Sequence, residues 1–100
     1  MASLTIVYWR DIPAQVIAKR GRETAKVQLS ERFETAIDRA AMRAGFTGTD
    51  AYLGEWRRGD PVECGEDLKA EVDKTAERLE AEFTEERLAL LVRAGGRAEQ

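Results

Sequence analysis

Two tryptophan–arginine pairs are the residues best suited to chemistry in this chain. Tyr8-Trp9-Arg10-Asp11 and Glu55-Trp56-Arg57-Arg58 hold both tryptophans of the sequence, and an arginine follows each. Arginine presents a planar fork of donors that matches a carboxylate or phosphate. Tryptophan offers a flat face for stacking or for a cation. Trp9, Arg10, Trp56, Arg57 and Arg58 therefore form a candidate anion- or partner-binding corner, bordered by Lys19, Arg20 and Arg22. The competing reading is structural: the tryptophans anchor the core, and the arginine stems pack over them with their charged heads in water.

Covalent catalysis has little to draw on. The chain contains no histidine, which removes the common nucleophile–base triads, the imidazole acid–base and most zinc sites. Its single cysteine, Cys64, stands between Glu63 and Glu66, acids that raise a thiol pKa rather than activate it. Gly45, Gly48 and Gly54 do not match a P-loop or a dinucleotide fingerprint. Asp11 and Glu55 could serve a paired-carboxylate hydrolase, but no spacing singles out a pair among 19 acids. No cofactor and no metal are expected, and the balance is against an enzyme.

These corners need elements to position them. Leu4 to Trp9 is β-branched and aromatic on both alternating rows, as in a central strand covered on both faces. Arg10 to Pro13 ends it, Gln15 to Lys19 gives a second strand, and Gly21 punctuates that. Residues 22–29 are ambiguous: Ala25, Val27 and Leu29 alternate like a strand, yet a helix beginning near Thr24 is also consistent. Phe33, Ala36, Ile37, Ala40, Ala41 and Ala44 form one helical stripe, with Ser30 as N-cap and Gly45 as the left-handed residue after its end. A loop at Thr47 to Asp50, a third strand from Ala51 to Arg58 and a turn at Gly59-Asp60-Pro61 follow. Leu68, Val72, Ala76, Leu79 and Phe83 stripe a long helix. Near Thr84 the stripe changes phase, predicting a kink or a separate third helix stopped by Gly95-Gly96. If the two tryptophan strands are parallel neighbours, their corners converge on one sheet edge.

The architecture expected is α+β: a sheet of about three strands with two or three helices mostly on one face, in a single domain over 1–94 with a frayed tail at 95–100. One hundred residues support one core without staples. A lone cysteine, no signal-peptide pattern and no apolar run of spanning length suggest the cytoplasm. Charge is uneven: five bases and two acids in residues 1–29, six bases and eleven acids in residues 61–100, and a net of −3. That balance disfavours nucleic acid in general and suggests an anionic partner for the N-terminal half, or simply internal complementarity between the two halves. Leu88, Leu90, Leu91 and Val92 leave the last helix apolar enough to mark a docking or dimer surface.

Val7 to Ile17, Ile37 to Arg43, Tyr52 to Arg58 and Val92 to Arg97 together resemble a small bacterial family described as "virulence factor", over nearly the whole chain. Tyr8-Trp9-Arg10-Asp11-Ile12-Pro13 is the most specific part. The resemblance supplies no catalytic residue. It implies a small accessory protein linked to folate- and corrinoid-dependent one-carbon metabolism, with a methyl-transfer enzyme as partner. Two functions follow: a non-enzymatic accessory or interaction subunit that meets an acidic protein surface, or a binder of a small anionic ligand (or a histidine-free enzyme acting on one) through the tryptophan–arginine corner.

Overall fold

The computed structural model describes residues 2–45 and 53–97. Its first half is a meander of three strands, Ser3–Trp9 (β1), Ile12–Arg20 (β2) and Glu23–Gln28 (β3). Arg10-Asp11 closes Trp9 onto Ile12, and Gly21-Arg22 closes Arg20 onto Glu23. The ambiguous stretch after Gly21 is thus strand. Gly21 takes φ +60°, which only glycine adopts without steric cost. Ala25 and Val27 then face the core, with exposed residues between them.

On the far edge of β1 the chain returns as Trp56–Arg58 (β4) and Val62–Glu63 (β5), and all pairings are antiparallel in the order β3-β2-β1-β4, with β5 also on β1. Three expectations change here. The third strand covers only Trp56–Arg58 of the predicted 51–58, while the loop at 47–50 and residues 51–52 lie outside the described residues. Gly59-Asp60-Pro61 is not a reversal. Arg58 pairs with Val7 and Val62 with Leu4, so the chain keeps its direction and carries one extra residue. Pro61 has no N–H to give a ladder, whereas Gly59 donates its N–H to Ile6 O at 2.8 Å. The sheet accordingly has five strands rather than about three.

Three helices are described in full: Glu31–Arg43 (α1), Leu68–Glu82 (α2) and Glu85–Arg93 (α3). Gly45 has φ +81°, as a residue just past a helix end often does. Ser30 holds the N-cap position of α1 without a side-chain cap bond; its Oγ and N–H both donate to Glu80 instead, at 2.8 and 2.7 Å. Thr84 does cap α3, accepting from the Arg87 N–H, so the phase change is a break between two helices. Arg32 clamps this break, donating to the backbone oxygens of Glu80 and Phe83 and to the Glu80 carboxylate. Burial alone pushes the Glu80 carboxyl up. The Ser30 donors and the Arg32 charge outweigh it and hold the group below the usual carboxylate range.

Paired residues share a side of the sheet. Leu4 and Ile6, with Ala18 and Val16 opposite, join the core under α2. Thr5 and Val7, with Ile17 and Gln15, face away, and Ile17 lies outside the core cluster. On that second side Thr5, Val7 and Gln15 are partly buried and Ile17 is buried, and only near Trp9 does the covering belong to the core cluster. Between Val7 and Tyr8 the register slips, leaving Ala14 of β2 without a partner; its carbonyl accepts from Leu29 N–H. Beyond that bulge Trp9 and Ile12, paired on the second side, enter the same cluster as Phe33, Ile37 and Leu91. Among the described residues, no helix is long and apolar enough to cross a membrane.

Candidate functional site

The hairpin tip is the most tightly fixed part of the predicted corner. Arg10 sits at φ 54°, a left-handed conformation that costs a residue with a side chain about 1–2 kcal/mol. Long-range bonds over-determine it. Its N–H donates to Glu55 O, the Asp11 N–H donates to Gly96 O, and its guanidinium donates to Gly95 O and pairs with Glu55 at 3.2 Å. Gly95 and Gly96 are buried here, so the tail expected to fray from residue 95 is held at its start, while residues 98–100 lie outside the described residues. At Gly96, φ +95°, a Cβ would stand 2.7 Å from the Trp9 ring.

The corners do converge, through an antiparallel pairing, where the sequence leaves the strand directions open and offers convergence for parallel neighbours. Trp56 lies opposite Trp9, Arg57 opposite Tyr8 and Arg58 opposite Val7. Trp9 is 0% exposed and Trp56 is partly buried against the core. The structural reading therefore holds for Trp9, which has no face open to a ligand. It fails for Arg10, whose head is bonded to protein rather than held in water. Asp11 pairs with Arg57 at 3.1 Å, and Glu55 pairs with Arg10 and, at 3.9 Å, with Arg97. Both carboxylates thus answer arginines, which explains them without catalysis.

Lys19, Arg20 and Arg22 do not border this corner. Lys19 pairs with Ser3, so all three lie at the opposite end of β1, about 20 Å along the strand from Trp9. Arg20 is engaged there by Glu23 and Glu66, both at 2.9 Å.

Arg57 and Arg58 point to opposite sides. On the open side, Arg58, Lys19 and Lys26 are exposed around Thr5, Val7 and Gln15, which are partly buried, and Ile17, which is buried. None of the three makes an ion pair among the described residues. The acids on the same side are Glu63, opposite Ser3 at the sheet's margin, and Glu34 and Asp38 of α1, which line a small cavity with Gln28 and Trp56. Lys26 was not among the predicted site residues. Its signal was its place in the alternation of 23–28, which becomes usable only once that stretch is known to be strand.

On the other side, Arg57 lies 4.5 Å over the Tyr8 ring, donating to Arg10 O and Asp11. It lines a groove of about 630 Å³ against α3, with Tyr8, Phe83, Leu90 and Leu91 as apolar walls and Arg87 and Arg97 as further cations. The sequence marked Leu90 as a docking residue, and it is 55% exposed, whereas Leu88 and Leu91 belong to the core. Arg87 escaped notice because its pairing is with an aromatic ring: it stacks 4.2 Å over Phe83, across the break between α2 and α3.

Among the described residues no other chemistry assembles. The Cys64 thiol is pushed up by burial and by Glu71 and Glu66, as an unreactive cysteine is. Among the described residues no group of three or more acid or cysteine side chains could hold a metal ion. The arrangement is one of cations and apolar surface, suited to binding. No curated protein and no solved structure matches the chain. The family described as virulence factor has a model that matches residues 7–92, from the middle of β1 to the end of α3, and the chain belongs to that family.

Proposed function

We propose that the protein is a non-enzymatic interaction subunit that meets an acidic protein surface with the open side of its sheet. One observation carries this reading: Lys19, Lys26 and Arg58 share that side, exposed, with no ion pair among the described residues. Arg10, Arg20, Arg32 and Arg57, by contrast, all have carboxylate partners. Antiparallel sheets commonly leave one face in water, but a solvated face ordinarily interleaves both signs of charge. Here the strands place one acid, Glu63, on that side, and Glu34 and Asp38 of α1 stand at its Trp56 end. Thr5, Val7 and Gln15, partly buried, lie between the cations, which stand as the polar, charged rim of a protein interface does. Trp56, on the same side as Arg58, is partly buried against the core rather than laid open as a stacking platform, which favours protein over single-stranded nucleic acid.

The test is a native pull-down with quantitative mass spectrometry, comparing wild type, Lys19→Glu/Lys26→Glu/Arg58→Glu and Arg57→Glu. A stoichiometric partner should bind wild type and Arg57→Glu and leave the triple variant, and its release by salt should follow electrostatic screening. A methyl-transfer enzyme, the partner class the family resemblance implies, is the first candidate to look for. A partner that stays with the triple variant, or none with wild type, ends this reading.

A further inference from the structure

We propose a second, separate site: the groove between β4 and α3 binds a small amphiphilic anion, a carboxylate or phosphate on an apolar body. Its walls divide the work. Tyr8 and Phe83 present ring surface, and Leu90 and Leu91 line the space between them. Two guanidinium groups reach the groove from opposite walls, each already laid over a ring: Arg57 over Tyr8 at 4.5 Å and Arg87 over Phe83 at 4.2 Å. Stacking of this kind fixes a guanidinium while leaving its edge donors free to point elsewhere.

Those donors are only partly used. Arg57 gives Nε to Arg10 O and one terminal nitrogen to Asp11; Arg87 gives one terminal nitrogen to Glu82 O. Each side chain has five N–H donors, so both have donors left for a ligand oxygen. Pre-organised arginines bind an anion with less entropy lost per bond than free ones do. Asp11 is occupied by Arg57, and Asp60 lies beyond Gly59 on the strand side. The anionic head therefore belongs on the α3 side, beside Arg87, with the apolar body against Tyr8 and Leu90. The volume, about 630 Å³, falls within the range of small-molecule sites.

The test uses naphthylacetate and naphthyl phosphate as probes, with naphthylethylamine as the cationic control. Affinity is measured by titration calorimetry and the site by amide shift changes. An anion should bind at least about tenfold better than the amine, and Arg87→Gln should weaken it about tenfold, the worth of one charge-assisted hydrogen bond. Which of the two anions binds better tells carboxylate from phosphate. Leu90→Glu, also at an exposed position, should abolish binding, and the open-face variant Lys26→Glu should leave it unchanged. Thermal melts establish that each variant is folded; where Arg87→Gln is not, Leu90→Glu decides. The proposal is overturned if neither anion binds at millimolar concentration, if the amine binds as well, or if the folded groove variants bind like wild type.

Discussion

Arg57 and Arg58 are adjacent, of one residue type and on one strand, yet they occupy different environments. Arg57 is laid on a ring, tied to a carbonyl and paired with Asp11. Arg58 stands exposed across from Val7, with no ion pair among the described residues. The two-residue period of a strand sends consecutive side chains to opposite sides, and here it separates two kinds of surface. Groove-side cations are pre-organised by partners already in place, which suits short-range recognition of one small anion. Open-face cations keep their rotamer freedom and hydration. They attract an acidic surface over a Debye length but contribute little per contact. A run of like charges in sequence is thus not a patch until the backbone has assigned its sides.

The strongest way to break the comparison lies at the corner beneath both surfaces. If Trp9 were a ligand platform, replacing it would cost binding and leave stability intact. Fully buried as it is, Trp9→Ala should instead cost about 3–5 kcal/mol in urea unfolding, cavity included. Gly96→Ala should act through the same contact, forcing a Cβ to 2.7 Å from the Trp9 ring at φ +95°. A Trp9→Ala protein as stable as wild type would remove the structural assignment of that residue.

The sequence made much of this fold legible. The alanine-rich stripe of α1, the Thr84 break and the strand of Leu4–Trp9 follow from spacing and caps, which are local. Pairing direction is not local. Composition and spacing leave the strand directions open and offer a meeting of the tryptophan corners if the strands are parallel; they meet because 56–63 runs back along β1. Gly59-Asp60-Pro61 has the composition of a turn, but turn residues also make bulges, and only the ladder on either side distinguishes the two. Lys19, Arg20 and Arg22 looked close to the corner because both are basic. A hairpin puts its two ends a strand length apart. The groove was least legible, because Tyr8, Arg57 and Arg87 come from three elements and meet only after α3 has packed.

A middle-sized effect sharpens the groove side alone. Arg32 ties α1 to the junction of α2 and α3 through Glu80 and the Phe83 carbonyl, and α3 is a wall of the groove. Arg32→Ala should cost about 1–3 kcal/mol, as charge-assisted bonds of this kind do. It should also weaken naphthylacetate binding and leave the acidic partner of the open face attached. The same junction has a pH signature. Glu80 is held below the usual carboxylate range, so its contribution is fully present above the ordinary value of about 4.3 and is lost as pH falls through the depressed folded value. Glu80→Gln should be less stable than wild type at neutral pH and converge with it in acid. Melting curves that stay parallel down through the acid range would show that the carboxylate charge is not what Ser30 and Arg32 recognise.

The smallest effect tests the comparison most directly. Arg57 and Asp11 are each more than a third exposed, so solvent screening limits their pair to about 0.5 kcal/mol of coupling in a double-mutant cycle. Arg58→Ala should change stability by no more than about 0.5 kcal/mol, as surface substitutions without partners do, and Asp11→Ala should not couple to it. The ordering should invert for association with an acidic partner. Arg58→Ala should slow the on-rate and flatten its salt dependence, because a cation on the docking side steers encounter, while Arg57→Ala, on the other side of the sheet, should alter both less. Equal effects of the two substitutions on the on-rate would mean that the partner sees both sides of the strand at once, and the division between groove and open face would fail.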